Sequence, residues 1–216
     1  MKAFISYQTS DKIIAGKIKT LLAELCIPAF LAHEDIEVSE EWRLKILEEV
    51  ALADLFICLL SENYYQSIWC IQESGVAAYR KDMSIIPLSI DGSIPQGFIS
   101  HIQSTRIAPE RFSSNDLIPI IAKRDVSWAI DLIIDLIGKS RSFRGAEANF
   151  QLLLPYTTRM FDAQAIRLLE KAAENGQVHH AGLCAKEYLP PLLEKYGHLV
   201  STATLDFLKK ICSQYE

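Results

Sequence analysis

The chain has 216 residues, half of them hydrophobic and 23% charged, which is enough apolar material for a sizeable core and too much for intrinsic disorder. A net charge of −5 excludes nucleic acid as the main partner, because phosphate binding needs a basic face. No uncharged apolar run approaches the ~18 residues of a membrane span, and "MKAFISYQTSD" turns polar too early for a signal peptide, so a soluble cytoplasmic protein is expected.

In chain order, "KAFISY" reads as a short apolar strand, and Asp11 opens an amphipathic helix with Ile14, Ile18, Leu21, Leu22 and Leu25 on one stripe. Pro28 stops that helix, and "AFLA" follows as a brief buried strand. "SEEWRLKILEEVALA" starts at a capping Ser39 and repeats Trp42, Ile46, Leu47 and Val50 at helical spacing. "DLFICLLS" is a near-continuous apolar run of the kind found in central parallel strands. A helix through "SIWCIQESGVAAYR", a strand at "MSIIPLSI" and a possible fifth strand at "STRIA" come next. After the capping "SSND" the chain reads as helix running into "AIDLIIDLIG".

This alternation implies an α/β domain: a parallel sheet with helices on both faces, and ligands outside the carboxyl ends of its strands. The loops "SYQTSD", "AHEDIEVS", "SENYYQS" and "SIDGS" then form the functional rim. Residues 141–216 carry no strand signal. They read as a small all-α extension containing an Asp162-capped helix ended by Gly176, a segment broken at Pro190–Pro191, and a final helix through "STATLDFLKKICSQY". Charge shifts at the same place: residues 1–140 hold 13 Lys/Arg against 19 Asp/Glu, a net of −6, and residues 141–216 hold 9 against 8, a net of +1. The expected domains are therefore 1–140 and 141–216.

Five cysteines, an odd number without a C-x-x-C pair, sit among apolar neighbours and read as reduced core thiols. No metal site is expected. His179 and His180 are adjacent, so they point to different helix faces, and no third ligand accompanies them. The acids Glu34, Asp35, Glu37, Glu40 and Glu41 read as a solvated loop and first helical turn. Cys70 has no paired base that would make it a nucleophile.

Glu73 is the anomaly. At helical spacing its neighbours are Trp69, Cys70, Val76 and Ala77, an apolar setting in which an ionised carboxylate loses hydration. Two readings are open: a structural acid paired with a cation such as Arg80 or Arg106, or a functional group. A phosphoacceptor receiver domain is set aside, because the third strand ends in Leu60-Ser61 where that fold needs Asp.

The motifs "AFISYQTSD", "FLAHEDIEVSEEW", "ADLFICLLSENYYQSIWCIQE" and "SIIPLSID" together resemble a Toll/interleukin-1 receptor (TIR) domain of the bacterial kind, in that family's order over roughly the first 135 residues. The resemblance implies a flavodoxin-like five-stranded parallel sheet. It also implies an enzyme that splits NAD+ at the nicotinamide–ribose bond, with NAD+ as substrate and no further cofactor. The family's essential glutamate closes a W-x-x-x-E pattern, here Trp69 to Glu73, so the catalytic role carries over to Glu73. Ser6 and Tyr7 match the part of the family pocket that faces substrate. Trp42 matches an aromatic suited to stacking on nicotinamide, and equally a first core residue of its helix. His33 reaches toward ribose or phosphates, or is simply a solvated loop residue. Trp69 belongs to the same substrate face, chiefly as a packing residue that shapes it. Val38 and Ser39 stand where the animal receptors commonly have Pro-Gly, so adaptor binding of the receptor kind is not implied.

The "FLAHEDI" loop and the helical tail look most like the NADase/cyclase component of Thoeris-type anti-phage systems. That likeness implies homo-oligomeric assembly, a phage-derived trigger, and a cyclic ADP-ribose-type signal to a separate effector protein. A non-catalytic TIR module that signals by assembly alone is the alternative.

Overall fold

The computed structural model describes residues 2–31 and 42–215, which fall into two compact units, Met1–Ile120 and Ile121–Glu216. The first is built on five parallel strands, β1 (Ala3–Ser6), β2 (Ala29–Leu31), β3 (Leu55–Leu60), β4 (Ser84–Ser89) and β5 (Thr105–Arg106). Their order is β2-β1-β3-β4-β5, the flavodoxin-like arrangement that the family resemblance implies. Every residue of β1 and β3 is buried, the reason "AFIS" and "LFICLL" read as unbroken apolar runs rather than alternating ones. The strand order reverses between β1 and β3, and the register sets Ser6, the last residue of β1, against Cys58 of β3. Such a crossover leaves a crevice beyond the carboxyl ends of the strands.

Among the described residues, helices α1 (Lys12–Glu24), α2 (Trp42–Leu52) and α3 (Ile68–Tyr79) flank this sheet. Helix α1 ends before Pro28 in a reversal whose backbone bonds run from Cys26 N to the Ala23 carbonyl (2.9 Å) and from Ile27 N to the Leu22 carbonyl (2.9 Å). Cys26 occupies the left-handed position of that reversal at φ 59°, the place usually held by glycine. Helix α3 starts at Ser67, whose hydroxyl accepts from the Cys70 backbone N–H at 3.3 Å. The expected Ser39 cap of α2 lies outside the described residues.

Helix α4 (Ser114–Ala122) does not run on into the next helix as the apolar pattern implied. Asp125 interposes a cap, its carboxylate accepting from the Trp128 N–H at 2.9 Å, and a separate α5 (Val126–Gly138) begins. In the helical unit α5 packs with α6 (Phe143–Leu153) and α7 (Asp162–Glu174), so that unit begins ahead of the charge shift near residue 140. Its core is the stripe Ile130, Ile133, Ile134 and Ile137 against Phe150, Leu168 and Leu169. Asp162 is the first residue of α7 rather than its cap. The Gln164 side chain accepts from the Phe161 N–H instead, and Gly176 opens the short α8 (Gly176–His179). A π-helical turn at Cys184–Tyr188 leads into α9 (Leu189–Tyr196), where Pro190 and Pro191 occupy the first turn, whose N–H groups need no intrahelical acceptor. Helix α10 (Thr202–Cys212) is the last element, and the described part of the unit is wholly helical. No helix among the described residues is long and apolar enough to cross a membrane.

Candidate functional site

Helix α3 carries Glu73 on its second turn and turns it toward the end of β1. The carboxyl is buried, with 6% of the residue exposed, and Ser6 Oγ donates to its Oε2 at 2.6 Å. Burial pushes its pKa from 4.5 up to about 7, only partly opposed by the Ser6 hydrogen bond. The alternative of a structural ion pair fails among the described residues: no cation pairs with Glu73. Arg80 instead donates to the carbonyls of Val50 and Ala53, each at 2.7 Å, and pairs with Asp82. Arg106 makes no bridge to Glu73 either.

A cavity of about 140 Å³ opens beside this carboxyl, lined by Arg43, Leu47, Trp69, Gln72, Glu73 and Val76 with the deeper Ile46 and Val50. Ser6 takes Oε2, and Glu73 is one of the residues lining the cavity. Its volume admits one ring rather than a whole dinucleotide, which needs ~300 Å³ or more. The Trp42 and Trp69 indoles stack beside it with centroids 6.0 Å apart and planes 8° from parallel. Both are about two-fifths exposed, so Trp42 is not a core residue of α2, and Trp69 packs on it at the edge of the cavity. This flat apolar face next to a carboxylate and the Arg43 guanidinium suits a planar, charged ring.

The other expected residues divide. Ser6 touches Glu73 directly. Tyr7 is buried with 2% exposed and does not line the cavity. His33 and the acidic run Glu34 to Glu41 lie outside the described residues. Tyr64 was not singled out by sequence, yet it is fully buried and its phenol oxygen lies 2.9 Å from Ser6 Oγ. "SENYYQS" was legible as a rim loop, but nothing in it marks which tyrosine turns inward. Burial raises the Cys58 thiol to about 12 and the Cys70 thiol to about 11, so both stay protonated and non-nucleophilic at neutral pH. His179 is buried in the helical unit with Nδ1 2.8 Å from the Ala172 carbonyl, and among the described residues no cluster of three potential metal ligands occurs.

The arrangement is a desolvated acid with one hydroxyl donor and, among the described residues, no counter-ion, lining a cavity beside an aromatic shelf. It can stabilise positive charge that develops next to it, or accept a proton near neutral pH. Compared with known proteins, residues 3–125 match the family model for the TIR domain. No curated protein matches the chain.

Proposed function

Since the chain belongs to the TIR domain family, with a match over more than half its length, we propose that it is an NAD+-cleaving enzyme whose catalytic carboxylate is Glu73. The observation that carries this reading is a buried carboxyl, open to a cavity and without a counter-ion among the described residues. Cleaving the bond between ribose C1′ and the nicotinamide nitrogen releases a neutral ring, because that nitrogen is cationic in NAD+. Leaving-group protonation is unnecessary, and the barrier lies in the positive charge that builds on C1′ and the ring oxygen. A carboxylate held in an apolar setting lowers that barrier by opposing the charge where water cannot screen it. Glu73 then accepts the proton of the attacking group. Water gives ADP-ribose, nicotinamide and a proton; attack by a hydroxyl of the same molecule gives a cyclic isomer, nicotinamide and a proton.

The Trp42–Trp69 shelf is the natural seat for nicotinamide, and Arg43 for the pyrophosphate or the ring amide. The resemblance to Thoeris-type proteins extends the proposal to a cyclic ADP-ribose-type signal for a separate effector, released on phage infection by an assembly of this chain. A non-catalytic assembly module is the second reading. It draws on the exposed apolar side chains of α3, Ile68 at 70% and Tyr79 at 89%.

The test is NAD+ consumption with chromatography of the products, wild type beside Glu73→Gln, at high protein concentration and in extract from phage-infected cells. Turnover by wild type alone supports the enzyme and identifies its product. Turnover by both places the chemistry on another residue, and silence of both under every condition favours the assembly module.

A further inference from the structure

Three oxygens run in line behind the cavity. Tyr64 Oη lies 2.9 Å from Ser6 Oγ, and Ser6 Oγ donates to Glu73 Oε2 at 2.6 Å; the phenol also lies 3.3 Å from the Cys70 carbonyl. A phenol and a hydroxyl each own a single proton, so the chain has two self-consistent polarities. With Glu73 ionised, Ser6 must donate to the carboxylate and Tyr64 must therefore donate to Ser6. With Glu73 protonated on Oε2, the carboxyl donates to Ser6, Ser6 to Tyr64, and Tyr64 turns to the longer contact with the Cys70 carbonyl; a proton on Oε1 leaves the first polarity in place.

We propose that Tyr64 is a positioning residue for Glu73: by donating to Ser6 it commits the Ser6 proton to Oε2 and so holds the carboxyl in place. This deepens the reading of Glu73 as the catalytic carboxylate and rests on it. Both polarities use the 2.6 Å and 2.9 Å contacts, but the ionised one ends on a charge, and hydrogen bonds that end on a charge are the stronger ones. A donor behind Ser6 also polarises it into a better donor. Tyr64 is suited to this role because burial holds its phenol well above 10, so it never surrenders the proton it donates. Among the described residues, the titratable and charged groups facing Glu73 are Tyr64, Cys58 on β3, Cys70 on α3 and Arg43 on α2. Burial keeps the two thiols and the phenol protonated, so among these three and Glu73 only Glu73 changes state near neutral pH.

The decisive experiment is a 13C NMR titration of the Glu73 carboxyl, assigned by its loss in Glu73→Gln, in wild type, Tyr64→Phe, Ser6→Ala and the double variant. Tyr64→Phe removes one hydroxyl and keeps the ring. The expected result is a midpoint moved upward by about half to one pH unit. The acid limb of kcat for NAD+ cleavage moves with it, so kcat at pH 6 falls about three- to tenfold and recovers at pH 9, while KM holds. In the Ser6→Ala background Tyr64→Phe has no further effect, since the link is gone. A 3-fluorotyrosine at position 64, a stronger donor of the same shape, moves the midpoint down. An unchanged midpoint in Tyr64→Phe, or an equal shift with and without Ser6, overturns the proposal. If Glu73→Gln still cleaves NAD+, the catalytic reading falls while the titration still decides Tyr64. If Glu73→Gln is dead and Tyr64→Phe titrates like wild type, only the proposal for Tyr64 falls.

Discussion

Replacing Glu73 by glutamine should stabilise the protein at alkaline pH, against the usual direction for a change at a buried position. Burial lifts the carboxyl from 4.5 to about 7. A native pKa above the unfolded one means that the native state binds the proton more tightly. The stability this group contributes is therefore complete below about pH 4.5 and is lost as pH rises through about 7. Each pH unit between the two values is worth about 1.4 kcal/mol, so wild type gives up about 3 kcal/mol relative to a side chain that does not titrate. Glutamine keeps the shape and can still accept from Ser6 through its carbonyl oxygen. Any fixed cost of the amide cancels when the difference in unfolding free energy is followed against pH. Urea unfolding read by tryptophan fluorescence suits the purpose, with Trp128→Phe in both proteins so that Trp42 and Trp69 report on the sheet unit alone. The advantage of Glu73→Gln over wild type should grow by about 2–3 kcal/mol between pH 5 and pH 8 and level off just above neutrality. A difference that stays flat across that range would refute the reasoning, because it would mean that the carboxyl titrates in the native state as it does in the unfolded chain.

Two further outcomes follow from the same geometry. Trp69→Ala removes half of the exposed stack with Trp42 and should cost about 1–2 kcal/mol of stability by thermal unfolding, while raising KM for NAD+ about two- to tenfold and leaving the pH profile of kcat in place. Cys26→Gly relieves the φ of 59° at the end of α1 and should raise stability by about 0.5–1 kcal/mol in the same urea assay, with no effect on turnover.

What the sequence could reveal depended on how local the governing physics is. The sheet was legible because a strand buried on both faces has no polar positions to interrupt it, and "LFICLL" announces β3 by that absence. The break between α4 and α5 was not legible, since the apolar period continues across it and only the Asp125 contact to the Trp128 N–H makes the stop. Glu73 stood out because its misfit is with residues one turn away on its own helix. Its partners did not: Ser6 lies 67 residues before it and Tyr64 is 58 residues after Ser6, so only the assembled sheet brings them together. The resemblance to the TIR family pointed to Ser6, Tyr7 and Trp42; of these Ser6 bonds Glu73, Trp42 stacks on Trp69, and Tyr7 is buried.

The way Glu73 is held bears on why it is there. A fold that needed only to keep this acid buried could have set a cation against it, and Arg80 sits at the end of the same helix. Its guanidinium is instead committed to the Val50 and Ala53 carbonyls and to Asp82. The result is a native state weakened by about 3 kcal/mol at neutral to alkaline pH, a large share of the ~5–15 kcal/mol that holds a typical domain together. An adjacent cation would remove that weakness, and with it the negative potential that the proposed cleavage would use. Stability and electrostatic power are thus in opposition at one residue. Ser6 and Tyr64 are a compromise between them, because hydroxyls hold and orient a carboxylate without cancelling its charge. On this argument a substitution that relieves the cost at position 73 also disarms the site, whereas relief at position 26 leaves it intact.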